Sequence, residues 1–119
     1  MKDWSFEFRI LVKKEDDLWV AHCLELDLVA AAPTEEQVES DIIDIIREQI
    51  IYCVSNDNMD HLFRRAPEEI WEEYLSCAML MKPKSQVIKA PPRKSIEEDL
   101  PSISFTTSAC TFPLSVCHA

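Results

Sequence analysis

The sequence predicts an α+β domain: a three-stranded antiparallel sheet packed by one long helix in the order β-β-β-α, followed by a second amphipathic helix. Three observations carry this. Apolar residues alternate with period two between Phe6 and Val12 and two short apolar segments follow up to Ala32, they recur at spacings of three and four between Val38 and Val54, and they do so again between Ile70 and Ala78. The chain has 119 residues, 47% of them hydrophobic, which suits one domain with a modest core.

Phe6, Phe8, Ile10 and Val12 share one face of the first strand. Lys14-Glu15-Asp16-Asp17 is polar and forms a turn. Leu18 to Leu24 is the second strand, antiparallel to the first because the connection is short. Leu26 to Ala32 makes a weaker third strand, rich in alanine and ended by Pro33. Thr34-Glu35-Glu36-Gln37 has the form of a capping box, in which the threonine hydroxyl takes the Gln37 amide hydrogen and the glutamine side chain reaches back. The helix that follows runs over 35–54, with Val38, Ile42, Ile45, Ile46 and Cys53 as its main stripe. Ile43, Ile50 and Val54 widen that stripe, and Ile51 falls on the opposite, charged side. So broad an apolar arc needs a second surface, from the later helix or from another chain.

Ser55 to Asn58 breaks the helix, and a short helical turn fits 59–65. Pro67 opens the second helix, which puts Ile70, Trp71, Tyr74, Leu75 and Ala78 on one face and four glutamates on the other. The expected core is Phe8, Ile10, Trp19, Ala21, Val38, Ile42, Ile45, Ile46, Trp71 and Tyr74, all before residue 82. Residues 1–81 therefore read as the domain. Residues 82–119 read as a tail rich in proline, serine and threonine, with room for a short edge strand at 85–89.

Charge and composition narrow the function. Net charge is −10, with −12 over residues 1–81 and +2 beyond them. Such a body repels phosphate backbones, so direct nucleic-acid binding is not expected, and it attracts basic proteins. Glycine is absent, which removes glycine-rich phosphate loops and leaves turns to aspartate, asparagine and proline. The five cysteines form no CxxC pair and their odd number fits no closed disulfide framework; Cys23, Cys53 and Cys77 read as small buried hydrophobes. His22 and Cys23 are strand neighbours on opposite faces, and Cys110, Cys117 and His118 lack metal-site spacing, so no metal is expected. No cofactor is expected either. Glu25 and Asp27, two apart, would share a strand face. With no secretory segment and no apolar run of about 20 residues, a cytoplasmic protein is expected.

Phe8-Arg-Ile-Leu-Val-Lys-Lys-Glu-Asp-Asp-Leu-Trp-Val-Ala-His-Cys-Leu-Glu-Leu, followed by Pro33-Thr-Glu-Glu-Gln-Val-Glu-Ser and the isoleucine-rich helix, resembles the N-terminal domain of HicB antitoxins. The likeness spans residues 6–54. It departs from the family at Asp27-Leu28, where Pro-Gly is usual, and at Ala32-Pro33, where a glycine usually precedes the helix cap. The resemblance implies a partial ribonuclease H-like fold lacking the nuclease's metal-binding carboxylates. It also implies a non-enzymatic antitoxin that neutralises a small basic mRNA-cleaving HicA-like toxin. Family members commonly add a DNA-binding segment, whose pattern residues 82–119 do not show. The residues expected to meet a partner are Glu25, Asp27, Glu36, Glu39, Ile43, Ile50 and Ile51. The alternative is a stand-alone homo-oligomeric module with no toxin partner.

Overall fold

The computed structural model describes residues 3–89 and 102–111. Its strands are β1 (Asp3–Glu15), β2 (Leu18–Cys23), β3 (Leu28–Ala32), β4 (Lys84–Lys89) and β5 (Ser102–Thr111). Its helices are α1 (Glu35–Ser55) and α2 (Glu68–Leu80), with a short 3₁₀ turn at Met59–His61 between them. The strands form one five-stranded sheet in the order β3-β2-β1-β5-β4.

The expected antiparallel trio is there: β1 pairs with β2 from Ile10↔Cys23 to Glu15↔Leu18, and β2 with β3 from Trp19↔Ala32 to Cys23↔Leu28. The sheet does not stop at that trio. β5 runs parallel to β1, from Asp3↔Ser102 to Val12↔Thr111, and β4 closes the far edge antiparallel to β5. The sheet is therefore mixed, and the stretch read as tail supplies one central strand and one edge strand. Residues 90–101 and 112–119 of that stretch lie outside the described residues.

Composition explains why β5 escapes a reading by hydropathy. Ser-Ile-Ser-Phe-Thr-Thr-Ser-Ala-Cys-Thr looks polar, yet threonine is β-branched and suits a pleated surface. Small side chains also fit a strand with a neighbour on both edges and a helix over one face. On the main-core face, Phe105 and Thr107 are buried, at 1% and 2% exposure.

Both faces of the sheet are used. One face presents Phe8, Ile10, Val12, Ala21 and Cys23 to Val38, Ile42, Ile46, Ile50 and Cys53 of α1, and Leu62, Ile88 and Phe105 complete this main core. The other face carries a smaller cluster of Leu11, Leu24, Ala66, Tyr74, Cys77 and Cys110, under α2. α2 thus packs on the face opposite α1 and is not the second surface that α1 was expected to need. It is pinned there by a Cys77–Cys110 disulfide with a Cα–Cα distance of 6.3 Å, so Cys77 is not a plain hydrophobe. Cys23 and Cys53 are free and buried. Burial pushes the Cys23 thiol up to about 12, the nearby Glu25 and Asp27 carboxylates adding to it and backbone hydrogen bonds at Leu26 and Glu25 opposing it.

Without glycine, the tight turns fall to aspartate. Asp16, Asp27 and Asp57 take φ of 58°, 54° and 52°, the left-handed region that short polar side chains tolerate best after glycine.

Candidate interaction surface

α1 starts where Thr34 Oγ1 accepts the Gln37 N–H at 3.1 Å. Only half of the capping box forms, because the Gln37 side chain turns forward and donates to Asp41 Oδ1 at 2.7 Å. The helix ends at Asn56, whose backbone N–H and side-chain amide both donate to the Tyr52 carbonyl, at 3.0 and 2.8 Å.

Between these ends, the buried side of α1 is centred on Ile42, Ile46 and Ile50, at 0% exposure each. That centre lies away from Ile45, which is 36% exposed and so is not the core residue expected. Ile45 and Tyr52, seven residues apart and on one side of the helix, form an outward apolar stripe with Tyr52 57% exposed. Asp44, Glu48 and Gln49 border the stripe, and together with Ser55 and Asn56 these residues line a shallow hollow of about 710 Å³. Asp44 is paired with Arg47 at 2.8 Å.

The structure places the expected partner-binding residues as follows. Glu36 is exposed on the first turn of α1. Glu39 is occupied: its Oε1 accepts from Lys84 Nζ at 3.2 Å, tying α1 to β4. Ile50 belongs to the core, and Ile43 is half-buried against it. Ile51 is only 7% exposed although it lies on the far side of the helix wheel. With Ile50, Ile51 and Cys53 buried and Val54 half-buried, the last turns of α1 are apolar nearly all round and enclosed on more than one side. Apart from Ile45, the apolar arc is thus largely consumed within the chain rather than left open.

Glu25 and Asp27 do not share a strand face, because residues 24–27 form a turn. Glu25 Oε1 accepts the Arg9 backbone N–H at 2.8 Å, and its other oxygen pairs with the Arg9 guanidinium. Asp27 Oδ1 instead accepts from His22 Nε2 at 2.7 Å. Beside this turn lies a smaller hollow of about 170 Å³, lined in part by Asp27, Gln49, His61 and Arg64, in which His61 Nδ1 is held by Asn58 Oδ1 at 2.7 Å. Among the described residues, no three His, Cys, Asp or Glu side chains converge as a metal site requires.

On the α2 face, Trp71 is stacked by two guanidiniums, Arg65 at 4.2 Å and Arg9 at 5.5 Å from the ring centre. Trp71 is therefore half-buried rather than a core residue, as is Trp19, which packs at the rim of the main core with Lys14 over its ring. Phe63 of the same loop as Arg65 lies 6.0 Å from Phe6, between ring centres. Tyr74 donates its hydroxyl to the Ser108 carbonyl at 3.2 Å, and burial is the main cause raising its pKa above 10.0. The Ile45–Tyr52 stripe is not legible in the sequence because Ile45 obeys the helical period and so resembles core.

Comparison with known protein families, with curated proteins and with solved structures finds no match in any of the three. Among the described residues no helix is long and apolar enough to cross a membrane. What the chain displays is an α+β mixed sheet with a helix on each face and an acid-bordered apolar stripe on the outer side of α1.

Proposed function

We propose that this chain is a non-enzymatic, cytoplasmic binding protein of the HicB antitoxin type, which neutralises a small basic mRNA-cleaving toxin through the outer side of α1. The observation that carries this reading is the Ile45–Tyr52 stripe bordered by Asp44 and Glu48, on a chain of net charge −10. Carboxylates around an apolar strip steer a cationic partner, and burial of the strip then slows its release. The β1-β2-β3-α1 order supports the partial ribonuclease H-like fold that the resemblance implies.

The test is binding to a HicA-type toxin encoded beside this chain, measured at low and high salt. Asp44→Lys with Glu48→Lys is expected to weaken the complex at least tenfold, an effect of about 1.4 kcal/mol. Tyr52→Ala is expected to weaken it with little change in salt dependence. Unchanged binding in both variants would remove α1 from the interface.

A second reading, a homo-oligomeric module without a toxin, is favoured by apolar side chains elsewhere. Leu75, Met79 and Leu80 of α2 are 54%, 86% and 74% exposed, and Val87 of β4 is 67% exposed. A monomer by sedimentation at high micromolar concentration rejects that reading.

A further inference from the structure

The two helices are held on the sheet by very different means. α1 buries Val38, Ile42, Ile46, Ile50, Ile51 and Cys53, whereas α2 buries only Tyr74 and Cys77. One of α2's two buried anchors is therefore half of a disulfide. Its other ties include the partly buried Ile70, Trp71 and Ala78 packed on the cluster beneath, the Tyr74–Ser108 hydrogen bond at 3.2 Å, the Lys13–Glu73 pair at 2.9 Å and the stacking at Trp71. The Glu73 side chain is 40% exposed, and ion pairs with such access to water contribute little. The cluster beneath α2 is small, and two of its members are the bonded cysteines.

We propose that the Cys77–Cys110 disulfide is a redox latch: it clamps α2 to the central strand β5, and its reduction by a dithiol frees α2 and uncovers the second face of the sheet. In the reduction, a thiolate of the dithiol attacks one protein sulfur and expels the other as a thiolate, which takes up a proton. The second thiol of the reagent then displaces the protein sulfur from the mixed disulfide. The chain gains two thiols, by two electrons and two protons, and the reagent leaves as a cyclic disulfide. Cys77 and Cys110 are 0% and 1% exposed, so the attack follows partial lifting of α2. The free thiols do not compete: Cys23 and Cys53 are buried in the main core, on the opposite face of the sheet. Opening would expose Leu11 and Leu24, apolar side chains that the oxidised chain keeps covered.

The test is hydrogen exchange on the full chain, oxidised and after treatment with dithiothreitol, with a non-reducing peptide map to locate the bond. The map is expected to link Cys77 to Cys110. Reduction is expected to speed amide exchange over residues 68–80 about tenfold or more while residues 42–50 keep their protection. Cys110→Ser is expected to behave as the reduced protein with or without dithiothreitol. Should that variant not fold, the reduced wild-type chain answers alone. Free thiols at both positions in protein prepared in air, or unchanged exchange over α2 on reduction, overturns the proposal. Equal loss of protection in α1 also overturns it, since the bond would then be a staple for the whole fold.

Discussion

Glu25 holds Arg9 twice, taking its backbone N–H at 2.8 Å with one carboxylate oxygen and its guanidinium with the other. The first of these bonds continues the β1 ladder past the end of β2, where a backbone carbonyl would otherwise serve. The Leu24 N–H in turn donates to the Arg9 carbonyl at 2.9 Å. The Arg9 side chain is 45% exposed, so its ionic contact is screened. Glu25→Ala should cost about 1–3 kcal/mol, mainly for the N–H left without its acceptor. Arg9→Ala should cost about 1 kcal/mol or less. Urea denaturation of both variants checks the order, and a larger loss for Arg9→Ala would show that the side-chain pair dominates.

The rotation of α1 about its axis yields a second prediction. Ile42 is at the centre of its buried side and Ile45 at the margin of its exposed side, 0% against 36%. Ile42→Ala should cost about 2–5 kcal/mol in transfer and cavity terms. Ile45→Ala should stay within about 1 kcal/mol while weakening the proposed partner complex. Paired thermal melts of the two variants are sufficient to decide.

How much of this was legible beforehand differs by element. α1 was, because Thr34 and the spacing of Val38, Ile42 and Ile46 define a start and a face. Its rotation was less so: Ile45 and Ile51 exchange roles once surrounding elements close around the last turns, and periodicity alone does not say where those elements lie. β5 was hidden because a central strand filled with Ser, Thr and Ala has no amphipathic signature. The same polar composition conceals the disulfide, since Cys110 reads as part of a tail, 33 residues from Cys77.

Alkaline pH should destabilise the fold. The Cys23 thiol titrates near 12 when folded, above its ordinary 9.0, so between these values the unfolded chain holds fewer protons. The contribution is intact below pH 9 and is lost as pH rises toward 12, by up to about 1.4 kcal/mol per pH unit. Tyr74, raised from 10.0 chiefly by burial, adds a loss of the same sign at higher pH. Comparing denaturation midpoints at pH 8 and pH 10.5, Cys23→Ala should show a shallower decline than the wild-type chain.

Asp16 and Asp27 share a left-handed backbone, at φ 58° and 54°, but differ in what their side chains do. Asp27 accepts from His22, whereas Asp16 sits exposed in the β1–β2 turn. Asp16→Gly should be neutral or stabilising by up to about 1 kcal/mol, through relief of the left-handed cost. Asp27→Gly should be destabilising by about 1 kcal/mol, because the His22 contact disappears with the same relief. Calorimetry on the two variants separates backbone relief from lost hydrogen bonding.

The parallel pairing of β1 with β5 has a kinetic consequence. Every other element lies between these two strands in the chain, so their ladder closes the longest loop of the fold. The β1-β2-β3 meander and α1 can assemble from near neighbours, but the open side of β1 must wait until Ser102–Thr111 arrives. During synthesis on a ribosome, that interval leaves a strand-length template of unpaired backbone exposed. Docking of β5 is therefore expected to set the pace of folding, with chaperone dependence concentrated in the time before it.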